Sequence, residues 1–332
     1  MPYKERLKNN PEKKPSKNKY KVINISEYNK SLKKRGRISL YLPAGDLKGI
    51  FINENSYSYG VSGRSQYYSE EYIIFIYTMY RLFGWGIRQT TGYLEDLWKE
   101  KGLDIEVPSF GHLSDLFAKI SIKVKHYCNK AVKRAKAGEK VDLIADSTGM
   151  RFDKAGQWYE EKYGKKSKKR PWRKMHISIN SDNMEIEAME ITENNVGDTE
   201  VLEDLIPSDT NVEKLIADGG YYSIELLEKL CAQGILPVIP PPSHAVVHGE
   251  GWSEWHDKIV QYIKDKETVC AYYNKYGYNV RSRVEVQFSR IKRCIGESFK
   301  TQKLESQKTE GVIISNIINL WNSFGLPTSV KV

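Results

Sequence analysis

The chain of 332 residues has only four cysteines, Cys128, Cys231, Cys270 and Cys294. None stands in a C-x-x-C pair or beside a histidine at zinc-ligand spacing, which argues against a structural zinc centre and a disulfide framework and favours free thiols in a reducing compartment. Long apolar runs are missing too. The longest, YIIFIYTMYRLFGWG, is interrupted by Arg81 and is too short to span a bilayer, and the N-terminus MPYKERLKNN has no apolar signal core. A soluble cytoplasmic protein with no membrane partner is expected. Internal repeats are also lacking, apart from one tetrapeptide, LIAD, which ends once on Asp146 and once on Asp218.

The length suffices for one large domain or two smaller ones without a covalent staple. The formal charge of +10 is unevenly placed, because residues 1–37 carry 13 Lys/Arg against three Glu and leave the remainder close to neutral. Residues 1–38 are therefore read as a disordered basic tail, either solubilising or an arm for polyanions. Residues 39–138 form a helical N-terminal domain. Its first helix, SEEYIIFIYTMYRLFG, starts on Ser69 and stops at Gly84; the second, GIRQTTGYLEDLWKEKG, has Ile87, Leu94 and Leu97 at helical spacing; a third runs from Ser109 to about residue 138. Such a bundle suits DNA binding or an interaction scaffold equally.

From residue 139 the texture changes. VDLIAD is a short apolar strand; WRKMHISIN and NMEIEAMEIT alternate with period two about an SDN turn; a short helix capped by Asp198, the strand EKLIAD, the helix SIELLEKLCAQG and the strand ILPVIPPP follow. This order predicts an α/β fold, a mixed sheet flanked by helices, over residues 139–332, with a small insertion at about 243–275.

Ligands of such sheets gather at the carboxyl ends of strands, where Asp146 and Asp218 are placed as strand-ending residues. Ser147 and Gly219 leave room beside them. Two carboxylates held close together need a shared proton or a cation, although each could simply cap the turn after its strand. The stretch YNVRSRVEVQFSRIK adds a third. At about 100° per residue, Tyr278, Arg281, Glu285 and Lys292 fall on one stripe about 60° wide, next to an apolar stripe of Val284, Phe288, Ile291 and Ile295. Three carboxylates without a Cys or His set suit Mg²⁺ or Mn²⁺ rather than zinc, and a pair of such ions serves phosphoryl transfer. The run EKYGKKSKKRPWRK, with Lys168, Lys169, Arg170, Arg173 and Lys174, is either a solvated loop or a set of contacts to a DNA backbone. His176 reads as structural or phosphate-facing rather than as a metal ligand. Trp252 and Trp255 are small-core anchors, or else platforms for an unpaired base.

Asp146, Asp218 and Glu285, with Tyr278, Arg281, Glu285 and Lys292 completing a Tyr-x2-Arg-x3-Glu-x6-Lys signature, resemble the DDE transposases of bacterial insertion sequences. More narrowly, the chain resembles the insertion-sequence-five branch of the insertion-sequence-four superfamily. The likeness runs from about Arg37 to Thr328 and includes GRSQYYS, GIRQTTGYLEDL, RPWRKMH, DGGYY, IPP at 239–241 and NIINLWNSFGLP. It implies a ribonuclease-H-like catalytic domain, preceded by a helical domain that grips terminal inverted repeats. It implies further that Asp146 bridges two Mg²⁺ (or Mn²⁺) ions, that Asp218 and Glu285 hold one each, and that Tyr278, Arg281 and Lys292 fix phosphates of the transposon end. Water would cut the end, the freed 3′-hydroxyl would attack target DNA, and a homodimer would bridge two ends. One departure is Pro242, which leads into SHAVVHGEGW where many relatives place a basic residue. Two other readings stay open: a catalytically silent or domesticated DNA-binding derivative, and a nuclease of the same fold that cuts without joining.

Overall fold

A computed structural model of the chain describes residues 20–53, 67–128, 138–152, 162, 164 and 172–332. It divides into two compact units.

In the first unit, β1 (Tyr20–Val22) pairs antiparallel with the C-terminal strand Ser329–Lys331, and α1 (Ile25–Arg35) follows. Residues 20–38 are thus ordered, which corrects the expectation of a disordered tail extending to residue 38. The sequence rule counts apolar surface within the segment, whereas here the backbone partners come from the other end of the chain. Asn24 Nδ2 donates to the Leu326 carbonyl, Thr328 N–H donates to Asn24 Oδ1, and Ser31 Oγ donates to the Gly325 carbonyl. Residues 1–19 lie outside the described residues.

The second unit, Ser39–Ser323, holds α2 (Leu47–Phe51), α3 (Glu70–Phe83), α4 (Ile87–Glu100) and α5 (Phe110–Lys119) together with the sheet. Helix α3 starts where expected, with Ser69 Oγ accepting from Tyr72 N–H. Phe51, Tyr72, Phe75 and Trp98 form an aromatic core across α2, α3 and α4, and Trp98 Nε1 donates to the Tyr72 hydroxyl at 2.9 Å. The third helix is shorter than expected. After Lys119 the chain is not helical through Cys128, and residues 129–137 lie outside the described residues. Ile120, Ile122 and Val124 alternate with polar residues, a period-two pattern that suits extended chain. Asn316, Asn319 and Glu185 then satisfy its backbone: Lys125 N–H donates to Asn316 Oδ1, Asn319 Nδ2 to the Lys125 carbonyl, and Tyr127 N–H to Glu185 Oε1.

The sheet contains β2 (Val141–Arg151), β3 (Trp172–Asn180), β4 (Ile186–Glu193), β5 (Val212–Ile216) and β6 (Leu236–Val238) in the order β4-β3-β2-β5-β6. β3 is antiparallel to β2 and β4, whereas β2, β5 and β6 run parallel. This mixed five-stranded sheet flanked by helices has a ribonuclease-H-like strand order. Between the strands come α6 (Asp198–Val201) and α7 (Ile224–Ala232), and after them α8 (Glu254–Asp265), α9 (Val269–Tyr276), α10 (Ser282–Cys294) and α11 (Leu304–Phe324). The segment expected as an insertion contributes α8 and most of α9. The N-cap of α6 is Gly197, and Asp198 is its first residue rather than its cap.

Buried contacts cross the boundary expected at 138/139. Arg81 of α3 pairs with Glu310 of α11 at 2.6 Å, with both side chains almost fully enclosed. The helices of residues 39–119 therefore share a core with the C-terminal part of the chain. No helix among the described residues is long and apolar enough to cross a membrane.

Candidate active site

The doubled tetrapeptide owes its spacing to the parallel pairing of β2 with β5. Leu143 lies opposite Leu215 and Ile144 opposite Ile216, so the two LIAD runs stand side by side in register. β5 ends there. Asp218 accepts from Gly220 N–H at 2.8 Å and turns the chain into a short 3₁₀ segment, Gly219–Tyr221. β2 does not end: it continues to Arg151, paired residue by residue with β3. Asp146 was expected to close a strand and instead lies within one, just past the last parallel pair. The reason is that its antiparallel neighbour is longer than its parallel one.

Alternation along β2 puts Asp146 and Thr148 on one face of the sheet and Ser147 on the other. On the first face lies α10. The expected single helix from Tyr278 is two elements, a 3₁₀ turn Tyr278–Arg281 and then α10 from Ser282. Val284, Phe288 and Ile291 are buried along its seam, and Lys292 Nζ donates to Thr148 Oγ1 at 2.7 Å, two residues from Asp146. Tyr278 stacks on Tyr273 with ring centroids 4.4 Å apart. Burial, with Arg281 opposing and Tyr273, Asp218 and Asp146 adding, pushes the Tyr278 phenol up to about 12.

The three carboxylates converge on one guanidinium. Arg281 Nη2 lies 2.8 Å from Asp146 Oδ2 and 3.6 Å from Asp218 Oδ2, and Nη1 lies 2.6 Å from Glu285 Oε1. Burial raises the Asp146 carboxyl above the usual carboxylate range. Arg281 and the Ser147 N–H, which donates to Oδ1 at 2.8 Å, offset part of this, whereas Asp218 and Glu285 push it further up. Arg281 shifts upward as well: burial opposes its charge, but Asp146, Tyr278, Glu285 and Asp218 outweigh that cost. Asp146 rises in spite of its ion pair because it is only 10% exposed, so its loss of water exceeds what the pair returns. Glu285, at 60%, faces solvent.

Among the described residues, no three His, Cys, Asp or Glu side chains stand close enough to hold a metal ion as placed. The donor chemistry nevertheless fits a hard divalent cation: three carboxylates from a strand, a turn and a helix surround a positive charge, and Arg281 supplies that charge here.

Other expected site residues are engaged elsewhere. Lys174 faces the opposite side of β3 from Asp146, because it pairs with Gly149 rather than with Thr148. Its Nζ donates to the Val196 carbonyl at 2.7 Å and to Asp198 Oδ1 at 3.1 Å. Arg173 donates to Gln307 Oε1 and to Glu193 Oε1. Both side chains have protein partners, Arg173 on β4 and α11 and Lys174 beside α6. Lys168, Lys169 and Arg170 lie outside the described residues. His176 is fully buried, with Nε2 2.9 Å from Thr192 Oγ1, a structural position. Trp255 is buried and donates from Nε1 to the Pro237 carbonyl at 3.0 Å, as a core anchor does. Trp252 is 56% exposed, with its ring 5.0 Å from that of His248.

Two residues beside the trio escaped the sequence reading. Thr148 had a signal, since i, i+2 alternation from Asp146 would have placed it had the strand been extended. Asp198 had none, because an acid in a first helical turn is ordinary. Its Oδ1 accepts from Ser147 Oγ at 3.3 Å and from Lys174, so it supports the strand from behind Asp146.

Residues 137–320 match the protein family described as "Transposase DDE domain", and residues 33–155 match a second family with the same description. No solved structure is matched by the chain. With the matched span covering more than half of the sequence and all three convergent carboxylates, the chain belongs to the DDE-domain transposases of insertion sequences.

Proposed function

We propose that the protein binds the terminal inverted repeats of its element and cuts and joins DNA strands at the site formed by Asp146, Asp218 and Glu285. The observation that carries this reading is the convergence of these side chains, from three separate elements, on the guanidinium of Arg281. Asp146, Asp218 and Glu285 would hold two Mg²⁺ or Mn²⁺ ions, which would supply the charge that stabilises attacking and leaving oxygens of an in-line displacement.

The chain's own residues orient the DNA. Arg281, Tyr278 and Lys292 border the carboxylates on one face and present two cations and a phenol to the phosphates of the element end. The run around Lys168, Lys169 and Arg170 adds backbone affinity through its charge. In the first step a water oxygen bonds to phosphorus, and the 3′ oxygen leaves with a proton. In the second, that 3′-hydroxyl oxygen bonds to a phosphorus of target DNA and displaces the target's own 3′ oxygen. A homodimer holds two ends together.

The test is an assay with a labelled element end, target DNA and Mg²⁺. Joined product is expected; cleavage without joining would make the protein a nuclease, and no cleavage a silent binder. Asp146→Ala, Asp218→Ala and Glu285→Ala should each abolish cleavage while end binding survives. Near-full activity in any one of them would remove that residue from the site.

A further inference from the structure

We infer that Arg281 is a built-in counter-cation that competes with divalent ions for the carboxylate trio, holding the trio assembled until metal displaces it onto a DNA phosphate. The inference rests on the metal-site reading above and adds to it an internal competitor. Three observations carry it. The guanidinium spans all three carboxylates, with Nη2 between the two aspartates and Nη1 on Glu285, so one side chain occupies the ground that an ion between them would need. Among the described residues, no other Lys or Arg forms an ion pair with any of the three: Lys292 is on Thr148, and Lys174 is on Asp198 across the sheet. Finally, Arg281 Nε is buried without a hydrogen-bond partner, so the planar fork is seated by the carboxylates and is not bonded at its base. A cation held from one side only, at the cost of a buried unsatisfied N–H, is a displaceable one.

The arrangement answers a physical difficulty. Without positive charge, Asp146, Asp218 and Glu285 would repel one another, and the 3₁₀ turn carrying Asp218 and the start of α10 carrying Glu285 would be pushed apart. Arg281 precedes α10 immediately, so its backbone travels with Glu285 while its head reaches across to the sheet. The planar five-donor fork suits this task, whereas a lysine ammonium could reach only part of the set. The geometry also ties two ligands together, because a guanidinium leaving the carboxylates becomes available to phosphate. As long as Arg281 is seated, only the fraction of molecules with the fork withdrawn takes up metal, and the apparent affinity falls by that fraction.

The experiment is a Mn²⁺ titration, followed by electron paramagnetic resonance, of the full chain without DNA, together with thermal unfolding in a chelator. Wild type, Arg281→Gln, Arg281→Lys, Lys292→Gln and Asp146→Asn are compared. Arg281→Gln should bind Mn²⁺ about tenfold more tightly than wild type, lose melting temperature in chelator and regain it with Mn²⁺. Arg281→Lys should fall between and serves if the glutamine variant does not fold. Lys292→Gln, which removes a nearby charge that touches none of the trio, should change Mn²⁺ affinity far less. Equal or weaker Mn²⁺ binding by both Arg281 variants, or an equal gain in Lys292→Gln, would overturn the competition while the metal site stands, provided Asp146→Asn loses Mn²⁺. Wild-type binding that Asp146→Asn leaves unchanged would overturn both.

Discussion

Arg81 of α3 and Glu310 of α11, 229 positions apart, form an enclosed ion pair at 2.6 Å, and Glu310 also accepts from Lys300 N–H, Thr301 N–H and Thr301 Oγ1. The two partners are therefore unequal. Among the described residues, Glu310 keeps three protein donors when Arg81 is removed, whereas Arg81 without Glu310 keeps only the Ser298 carbonyl, at 3.1 Å. Removing one member of a buried pair costs about 3–5 kcal/mol. Glu310→Gln should fall at the upper end and Arg81→Met below it, measured by urea unfolding. The reverse order would mean that the carboxylate is not the hub.

Gly220 tests how tightly Asp218 is held. A Cβ at this position would stand 3.0 Å from Asp218 Oδ1 and 3.5 Å from Asp198 Oδ2. Gly220→Ala must push the Asp218 carboxylate aside, so cleavage of a labelled element end should fall at least about tenfold, equivalent to about 1.4 kcal/mol of transition-state stabilisation. Stability should change by less than about 1 kcal/mol, because the turn is at the surface. Unchanged cleavage would show that the position of Asp218 does not limit the reaction.

His176 gives a pH dependence. Burial, with Lys174 adding and Asp198 opposing, lowers its pKa from 6.5 to about 4, so the folded chain keeps the imidazole neutral. The unfolded chain takes up a proton near pH 6.5 and the folded chain only near 4, so between these values the unfolded state binds more protons. Stability from this group is complete above about pH 6.5 and declines as pH falls toward 4, by on the order of 3 kcal/mol. Urea unfolding of wild type and His176→Asn at several pH values should show a steeper acid loss in wild type. Parallel curves would contradict the neutral buried imidazole.

Gly311 allows α11 to approach the sheet. A Cβ there would lie 2.9 Å from the Met189 side chain and 3.1 Å from Ile191 Cδ1. Gly311→Val should therefore overpack this face and cost about 1–3 kcal/mol, whereas Gly311→Ala should cost less, because the Met189 thioether can move. Chemical denaturation that ranks alanine at or below valine in stability would contradict this contact.

Much of the site was legible in the sequence because it is written in short-range periods. Ser69 as a helix cap, the hairpin after Asn180, and the placing of Glu285 beside the seam of Val284, Phe288 and Ile291 depend only on neighbours within a few residues. The misreadings have the same origin. The run Ile120, Ile122, Val124 continues the expected third helix in sequence, although its period-two alternation becomes extended chain once Asn316 and Asn319, nearly 200 residues later, satisfy its backbone. The apolar run alone makes Asp146 a strand end, but the length of β2 is set by β3. The charge of Lys174 is visible in the sequence, and its pairing with Asp198 across the turn after β4 is not.

The residues that could hold a cation, the strands and helix that carry them, and the stripe joining Tyr278, Arg281, Glu285 and Lys292 can be read without any coordinates, since local periods and side-chain chemistry are properties of short segments. Tertiary structure alone decided that β2 and β5 lie in parallel register, which sets Asp146 beside Asp218, and that Arg281 stands between them and Glu285. Strand partnership and burial are paid in loop-closure entropy and recovered in contacts distant along the chain, so no window of sequence contains them.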